Sequence, residues 1–161
     1  TAPAHRTVDG QLVDLGRVGI PADTADLALL QTLTRDGFVP VIACLGLGSD
    51  GRLFNVNADT FAGHLAARLA ASRLVIAGTT AGVLDGAGAT IAQLDPPAVE
   101  RLIADRTATA GMIAKLRACG HALTHGVHDV VIVDGRDADA LEQAALTASP
   151  SRATRLVGGG H

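Results

Sequence analysis

Short continuous apolar runs alternate along this chain with segments of helical period, and that alternation limits the folds open to it. Arg73-Leu74-Val75-Ile76-Ala77 and the run from Val127 to Val133 each read as a buried strand. Elsewhere apolar residues recur three or four apart, as in Phe61, Leu65 and Leu69 or in Met112, Leu116, Cys119 and Leu123. That spacing lines up one face of a helix. Strands alternating with helices imply βαβ units, so the expected class is α/β, a three-layer αβα sandwich on a mainly parallel sheet.

Smaller signals complete the outline. Thr7-Val8 and Gln11-Leu12-Val13 flank Asp9-Gly10, a hairpin pair. Pro21 opens a helical stretch carrying Leu27, Leu30 and Leu33, which Gly37 closes. Phe38 to Cys44 reads as a strand, and Leu53 to Val56 as another after the Asp50-Gly51 turn. Alanines between Phe61 and Leu69 let that helix lie close to a sheet, and Pro96 to Asp105 and Asp137 to Thr147 read as further helices. No repeat or linker divides the 161 residues, which suffice for one core.

A net charge of -3 and only three aromatic side chains, all Phe, give no reason to expect nucleic acid as a partner. Neither a signal peptide nor an apolar run of spanning length is present, so the expectation is no membrane and a cytoplasmic location. Cys44 and Cys119 read as buried reduced thiols. His121 and His125 lie one helical turn apart with His128 close by, but no carboxylate completes a zinc set, so they are expected at solvent or a subunit neighbour and no metal site is assigned. A start at Thr1 without Met suggests a fragment or a processed product, with a Gly158-Gly159-Gly160-His161 tail.

Three segments carry chemistry. Asn55-Val56-Asn57-Ala58-Asp59 puts two amides and a carboxylate where a strand gives way to a helix, a place that collects anions. The same residues are also ordinary helix caps. Thr107-Ala108-Thr109-Ala110-Gly111-Met112-Ile113-Ala114-Lys115 runs from a small-residue loop into a helix, with Lys115 expected in its first turn. Lys115 is the single lysine among thirteen basic side chains, and lysine and arginine are not interchangeable at a compact phosphate contact. Thr79-Thr80-Ala81-Gly82-Val83-Leu84-Asp85 is a third, glycine-bearing loop after a strand. Gly46-Leu47-Gly48-Ser49-Asp50-Gly51 fits the dinucleotide spacing, but its third glycine leads to a turn and a strand rather than a helix, which argues against a nicotinamide enzyme.

In order and spacing these segments resemble the C-terminal half of the acetylglutamate kinases, within the amino acid kinase family. The resemblance runs from Asp14-Leu15-Gly16-Arg17-Val18-Gly19 to Val131-Ile132-Val133-Asp134-Gly135-Arg136 and ends near Thr154-Arg155-Leu156. It implies a C-terminal nucleotide-binding lobe over residues 1–161, with the N-terminal substrate lobe outside this chain. It also implies ATP-dependent phosphorylation of the side-chain carboxylate of N-acetyl-L-glutamate, with Mg2+, in arginine biosynthesis. Lys115 would stabilise the phosphoryl group in flight, and Asp59 would orient the catalytic lysines. Asn55 would contact the acetylated substrate, with Asn57 supporting that wall. Thr79, Thr80, Ala81, Gly82, Val83 and Leu84 would line the nucleotide, with Thr107, Ala108, Thr109, Gly111 and Met112.

The resemblance further implies a homo-oligomer, and an N-terminal half that complements this chain and carries a second lysine. Thr79 stands where the family has an aspartate, Ala110 and Ala153 where it has glycines, and these departures bear on nucleotide contacts. Alternatives from the same residues are another amino acid kinase, acting on aminoadipate, aspartate, carbamate or a nucleotide, and a nucleotide-binding regulatory module without turnover. The charges of Asp134-Gly135-Arg136 read as structural.

Overall fold

The computed structural model describes residues 5–6, 11–105, 109–146 and 151–158, and it divides into two units, Thr1–Phe61 and Ala62–His161. In the first, β1 (His5–Arg6) pairs antiparallel with β2 (Leu12–Val13). This agrees with a hairpin, although Thr7-Val8 and Asp9-Gly10 lie outside the described residues. Then come β3 (Val18–Gly19), α1 (Ala28–Arg35), β4 (Leu45–Leu47) and β5 (Leu53–Val56), in a sheet ordered β3-β5-β4. β5 runs parallel to β3 and antiparallel to β4. The β4–β5 turn is closed by Gly48 N–H donating to the Arg52 carbonyl, so the glycine-rich segment is a hairpin, as its failure to enter a helix suggested.

Two expectations fail in this unit. The helix begins at Ala28 rather than Pro21, because Asp26 Oδ1 takes the Ala28 N–H at 2.8 Å in an Asx turn that competes with an earlier helical turn. The run from Phe38 to Cys44 forms no strand; the strand starts at Leu45. Pro40 removes a ladder donor from the middle of that run. Without a paired edge its side chains stay in the open, with Val39 87% and Val41 97% exposed. Only Leu27 and Val56 are buried apolar side chains among the described residues of this unit.

The second unit is built differently. α2 (Ala58–Arg68) enters it, followed by β6 (Leu74–Gly78), β7 (Gln93–Leu94), α3 (Pro96–Ala104), α4 (Ala110–Thr124), β8 (Asp129–Asp134), α5 (Ala138–Leu146) and β9 (Ala153–Val157). The sheet order is β6-β8-β9-β7, with β6–β8 and β7–β9 parallel and β8–β9 antiparallel. The α/β class therefore holds, with parallel segments beside antiparallel ones.

Alternation along β8 generates the layers, since successive side chains leave a strand on opposite faces. Val130 and Ile132 join Leu74, Ile76, Leu94 and Leu156 in a core closed by Ala66, Val99, Leu116, Cys119 and Ala122 from α2, α3 and α4. Val131 and Val133 pack with Ala153 and Ala144 under α5 on the other face. The Met112, Leu116, Cys119 and Leu123 stripe of α4 faces the first core as expected. In α2, Gly63 and Ala66 are buried, whereas Phe61 and Leu65, and Leu69 just past its end, are only half-buried. The small residues serve a helix–helix contact: a Cβ on Gly63 would lie 2.8 Å from the Ala118 carbonyl of α4. Among the described residues no helix is long and apolar enough to cross a membrane.

Asp129, buried at the start of β8, ties three elements together. Arg73, just before β6, donates from Nε at 2.7 Å and from Nη2 to Oδ2, and from Nη1 to the Ala144 carbonyl of α5 at 2.7 Å. Arg155 of β9 donates from Nε to Oδ1 at 2.7 Å. Burial pushes the Asp129 carboxyl up, but the hydrogen bonds and charges of Arg155 and Arg73 outweigh it and hold the group below its ordinary 3.8. Removing one partner of such a buried pair costs roughly 3 kcal/mol. Asp129→Ala is therefore expected to lose about that much in urea unfolding at pH 7. A carboxyl with a lowered folded pKa stabilises above its unfolded value, so the deficit should shrink as pH falls below 3.8.

Candidate functional site

The asparagine segment divides its labour. Asn55 lies on β5, where its N–H donates to the Arg17 carbonyl at 2.8 Å and its side chain is exposed. Asn57 caps α2, its Oδ1 accepting the Thr60 N–H at 3.0 Å and the Thr60 hydroxyl at 3.2 Å. Capping by an Asn carboxamide satisfies one of the free donors that open a helix. Asp59 stands half-buried in the first turn of α2, where the helix dipole favours a carboxylate.

In the second unit the chemistry gathers at the carboxyl ends of β6 and β8. The two strands end in register, Gly78 opposite Asp134, and Gly135 N–H donates to the Gly78 carbonyl at 2.9 Å. Half-buried Lys115 reaches this edge: a Cβ on Gly78 would sit 3.8 Å from Lys115 Cε. α4 begins at Ala110, so Lys115 is in its second turn rather than its first. Its side chain thus reaches the strand edge from the second turn of the helix.

The loop after Gly78 is held at both ends. Arg136 Nη2 donates to the Thr79 carbonyl at 2.7 Å, and Asp134 grips the same guanidinium through Nε at 2.9 Å and Nη2 at 2.7 Å. Hydrogen bonds from the Arg136 side chain and backbone hold the Asp134 carboxyl at about 2, so it stays charged across the neutral range. At the far end, Val83 N–H donates to the buried Thr154 hydroxyl at 2.7 Å, and that hydroxyl donates to the Ile91 carbonyl at 2.6 Å. Thr80 Oγ1 donates to the Gly82 carbonyl inside the loop. Exposed Thr79, half-buried Thr80 and Ala81, and Leu84 at 38% face outward to different degrees, whereas Val83 is a core residue.

The segment before Lys115 offers fewer free groups than its spelling suggested. Thr107 and Ala108 lie outside the described residues. Thr109 is the N-cap of α4, accepting the Met112 N–H at 3.3 Å. Met112 packs against the first core. Exposed Gly111 has open space around it. Thr154 and the reach of Arg136 to Thr79 were not legible beforehand. A threonine in a strand carries no local mark of a loop tether, and the Arg136 contact spans 57 residues of sequence.

Elsewhere in this unit, His64 of α2 stacks on His121 with ring centroids 6.4 Å apart, and the His121 and His125 rings lie tilted by 33° at 4.0 Å. No group of three or more His, Cys, Asp or Glu among the described residues could hold a metal.

Two glycines differ in what their surroundings demand. Gly82 has φ +91° and a Cβ there would meet Thr154 Oγ1 at 2.4 Å, so Gly82→Ala should unseat the loop and lower the melting temperature. Gly111→Ala meets no protein atom and should keep the melting temperature. Thermal unfolding of both variants tests the contrast.

This architecture has relatives. The acetylglutamate kinase of Sphingopyxis alaskensis is 48% identical over 124 residues, 77% of this chain and 41% of that protein. That of Novosphingobium aromaticivorans is 42% identical over 140 residues, 87% of this chain and 46% of that protein. Among solved structures, N-acetylglutamate synthase from Neisseria gonorrhoeae complexed with coenzyme A and N-acetyl-glutamate matches 100% of this chain and 37% of its own, with a TM-score of 0.82 at 24% identity. Carbamate kinase from Giardia matches 99% and 55%, with a TM-score of 0.69 at 16% identity. The chain spans less than half the length of the two acetylglutamate kinases. Residues 5–134 match the amino acid kinase family, and the chain belongs to that family.

Proposed function

We propose that this chain supplies the nucleotide-binding lobe of an enzyme that phosphorylates the side-chain carboxylate of N-acetyl-L-glutamate with ATP, a step of arginine biosynthesis. The observation that carries the reading is the reach of Lys115 to the carboxyl end of β6, beside the Thr79–Leu84 loop. Crevices at the carboxyl ends of sheet strands are where α/β proteins collect ligands. The names of relatives at 42–48% identity support the choice of acceptor.

Phosphoryl transfer asks for positioning and charge neutralisation more than for covalent help from the protein. The Lys115 ammonium is a compact charge suited to the oxygens of the transferring group. The backbone of the Thr79–Leu84 loop and the start of α4 would bind the nucleotide. The acceptor is already a carboxylate near neutral pH, so no general base is needed. Asn55 would bind the acetylated acceptor, Asn57 would support its wall, and Asp59 would hold catalytic cations through charged hydrogen bonds. Magnesium keeps most of its waters and is held through phosphates and one or two carboxylates, which fits a lobe whose described residues form no metal cage. Bound with the triphosphate, the ion would neutralise developing charge.

The first unit supports a partner in the same terms. Phe38, Val39, Val41 and Leu47 are 62–97% exposed, a surface that water does not favour and that the remaining half of a full-length kinase would cover. Turnover is proposed for that complete protein.

Lys115→Met in the complete protein should lower kcat about a hundredfold or more with a smaller change in KM for ATP. Lys115→Arg should recover little, because a planar fork does not reproduce a point charge. Steady-state kinetics of both variants decide the matter, and an unchanged kcat removes Lys115 from the mechanism.

A further inference from the structure

We propose that Arg136 is a positioning residue for the nucleotide: it fixes the Thr79 end of the Thr79–Leu84 loop while Asp134 fixes Arg136. The proposal rests on the nucleotide reading above and adds a residue that the reading does not use.

The geometry is over-determined for a surface ion pair. Asp134 Oδ1 accepts both the Arg136 N–H at 3.0 Å and its Nε–H at 2.9 Å, and Oδ2 accepts Nη2–H at 2.7 Å. The carboxylate therefore sets the plane of the guanidinium and the turn that carries it. The Nη2 that meets Oδ2 also donates to the Thr79 carbonyl, so the first residue after the β6 strand is tied to the first turn after β8. Gly135 seals the same junction through the Gly78 carbonyl, and a Cβ there would come within 3.0 Å of Ala77 Cβ.

Stability alone does not explain this arrangement. The Arg136 side chain is 70% exposed and that of Asp134 18%, and an ion pair open to solvent on one side contributes little to folding. Loop geometry does explain it. The far end of the loop is tethered by Thr154, the near end by Arg136, and the side chain of Thr79 itself is exposed. Lys115 Cε lies beside Gly78, the residue before the tethered carbonyl, so a shift of Thr79 moves the loop backbone relative to the ammonium. An ammonium at position 136 could not span both the Asp134 carboxylate and the Thr79 carbonyl from one plane. The low Asp134 pKa keeps the clamp charged at any pH where a kinase works.

The test uses the complete protein with Arg136→Gln, Arg136→Lys and Asp134→Asn. For each, KM for ATP, kcat, KM for the acetylated amino acid, the melting temperature, and calorimetric binding of a nonhydrolysable ATP analogue are measured. The proposal expects KM for ATP to rise about tenfold in all three, with the analogue weakened in parallel. It expects no rescue by lysine, an unchanged acceptor KM, and a melting temperature unchanged in the two Arg136 variants. Wild-type ATP affinity in the Arg136→Gln variant would overturn it, as would a lowered melting temperature accompanied by equal losses for both substrates. Should the wild-type protein bind no ATP analogue, the nucleotide reading fails and takes this proposal with it. Wild-type binding with indifferent variants overturns the clamp alone.

Discussion

The parallel pairing of β6 with β8 is the constraint on which the rest of the second unit depends. Five registered residue pairs, Leu74 with Val130 through Gly78 with Asp134, bring two carboxyl ends to one edge although 56 residues separate them. Parallel strands need a long crossover, and here that crossover contains α3 and α4. The loop after Gly78, the turn after Asp134 and the side chain of Lys115 meet because the pairing leaves them at the same edge. At the opposite end, Asp129 binds Arg73 and Arg155 and locks the register from below. A one-residue slip would exchange Val130 and Ile132 for Val131 and Val133 between two different cores.

The two units differ in how far their own atoms complete them. β8 is buried on both faces, and the side chains of Leu116, Ile132 and Leu156 are fully enclosed. The first unit has a sheet of short strands, and α1 buries none of its residues. Hydrophobic burial is the main favourable term in folding, so the second unit supplies more of its own stabilisation than the first. The difference also explains where the sequence pattern misleads. Phe38 to Cys44 has the composition of a strand, but among the described residues only its last carbonyl, that of Cys44, is taken by β5, through the Val56 N–H, whereas Val130 to Val133, equally apolar, lies between β6 and β9.

Elements with a strong period were therefore legible in the residues alone: β8, the apolar stripe of α4, and α3 with Asp95 accepting the Ala98 N–H ahead of Pro96. Boundaries set by local competition were not. Asp26 shortens α1, and Gly63 turns the buried face of α2 toward α4, because side-chain hydrogen bonding and backbone approach depend on where neighbours lie. The candidate site was readable as three segments of the sequence. Its joinery was not, since Thr154 and Arg136 act on residues more than fifty positions away. Asn57 and Thr109, singled out as possible ligand groups, also serve as caps, a role that a helix start demands of such residues wherever it occurs.

Amide hydrogen exchange on the complete protein tests most directly the proposed nucleotide site at the shared carboxyl edge of β6 and β8. A nonhydrolysable ATP analogue should slow exchange at residues 79–84 and 109–113 while leaving the Asp129 end of the sheet, residues 73–74 and 129–130, unchanged. Slowed exchange confined to other segments, or uniform slowing across the second unit with no focus on that edge, would contradict it.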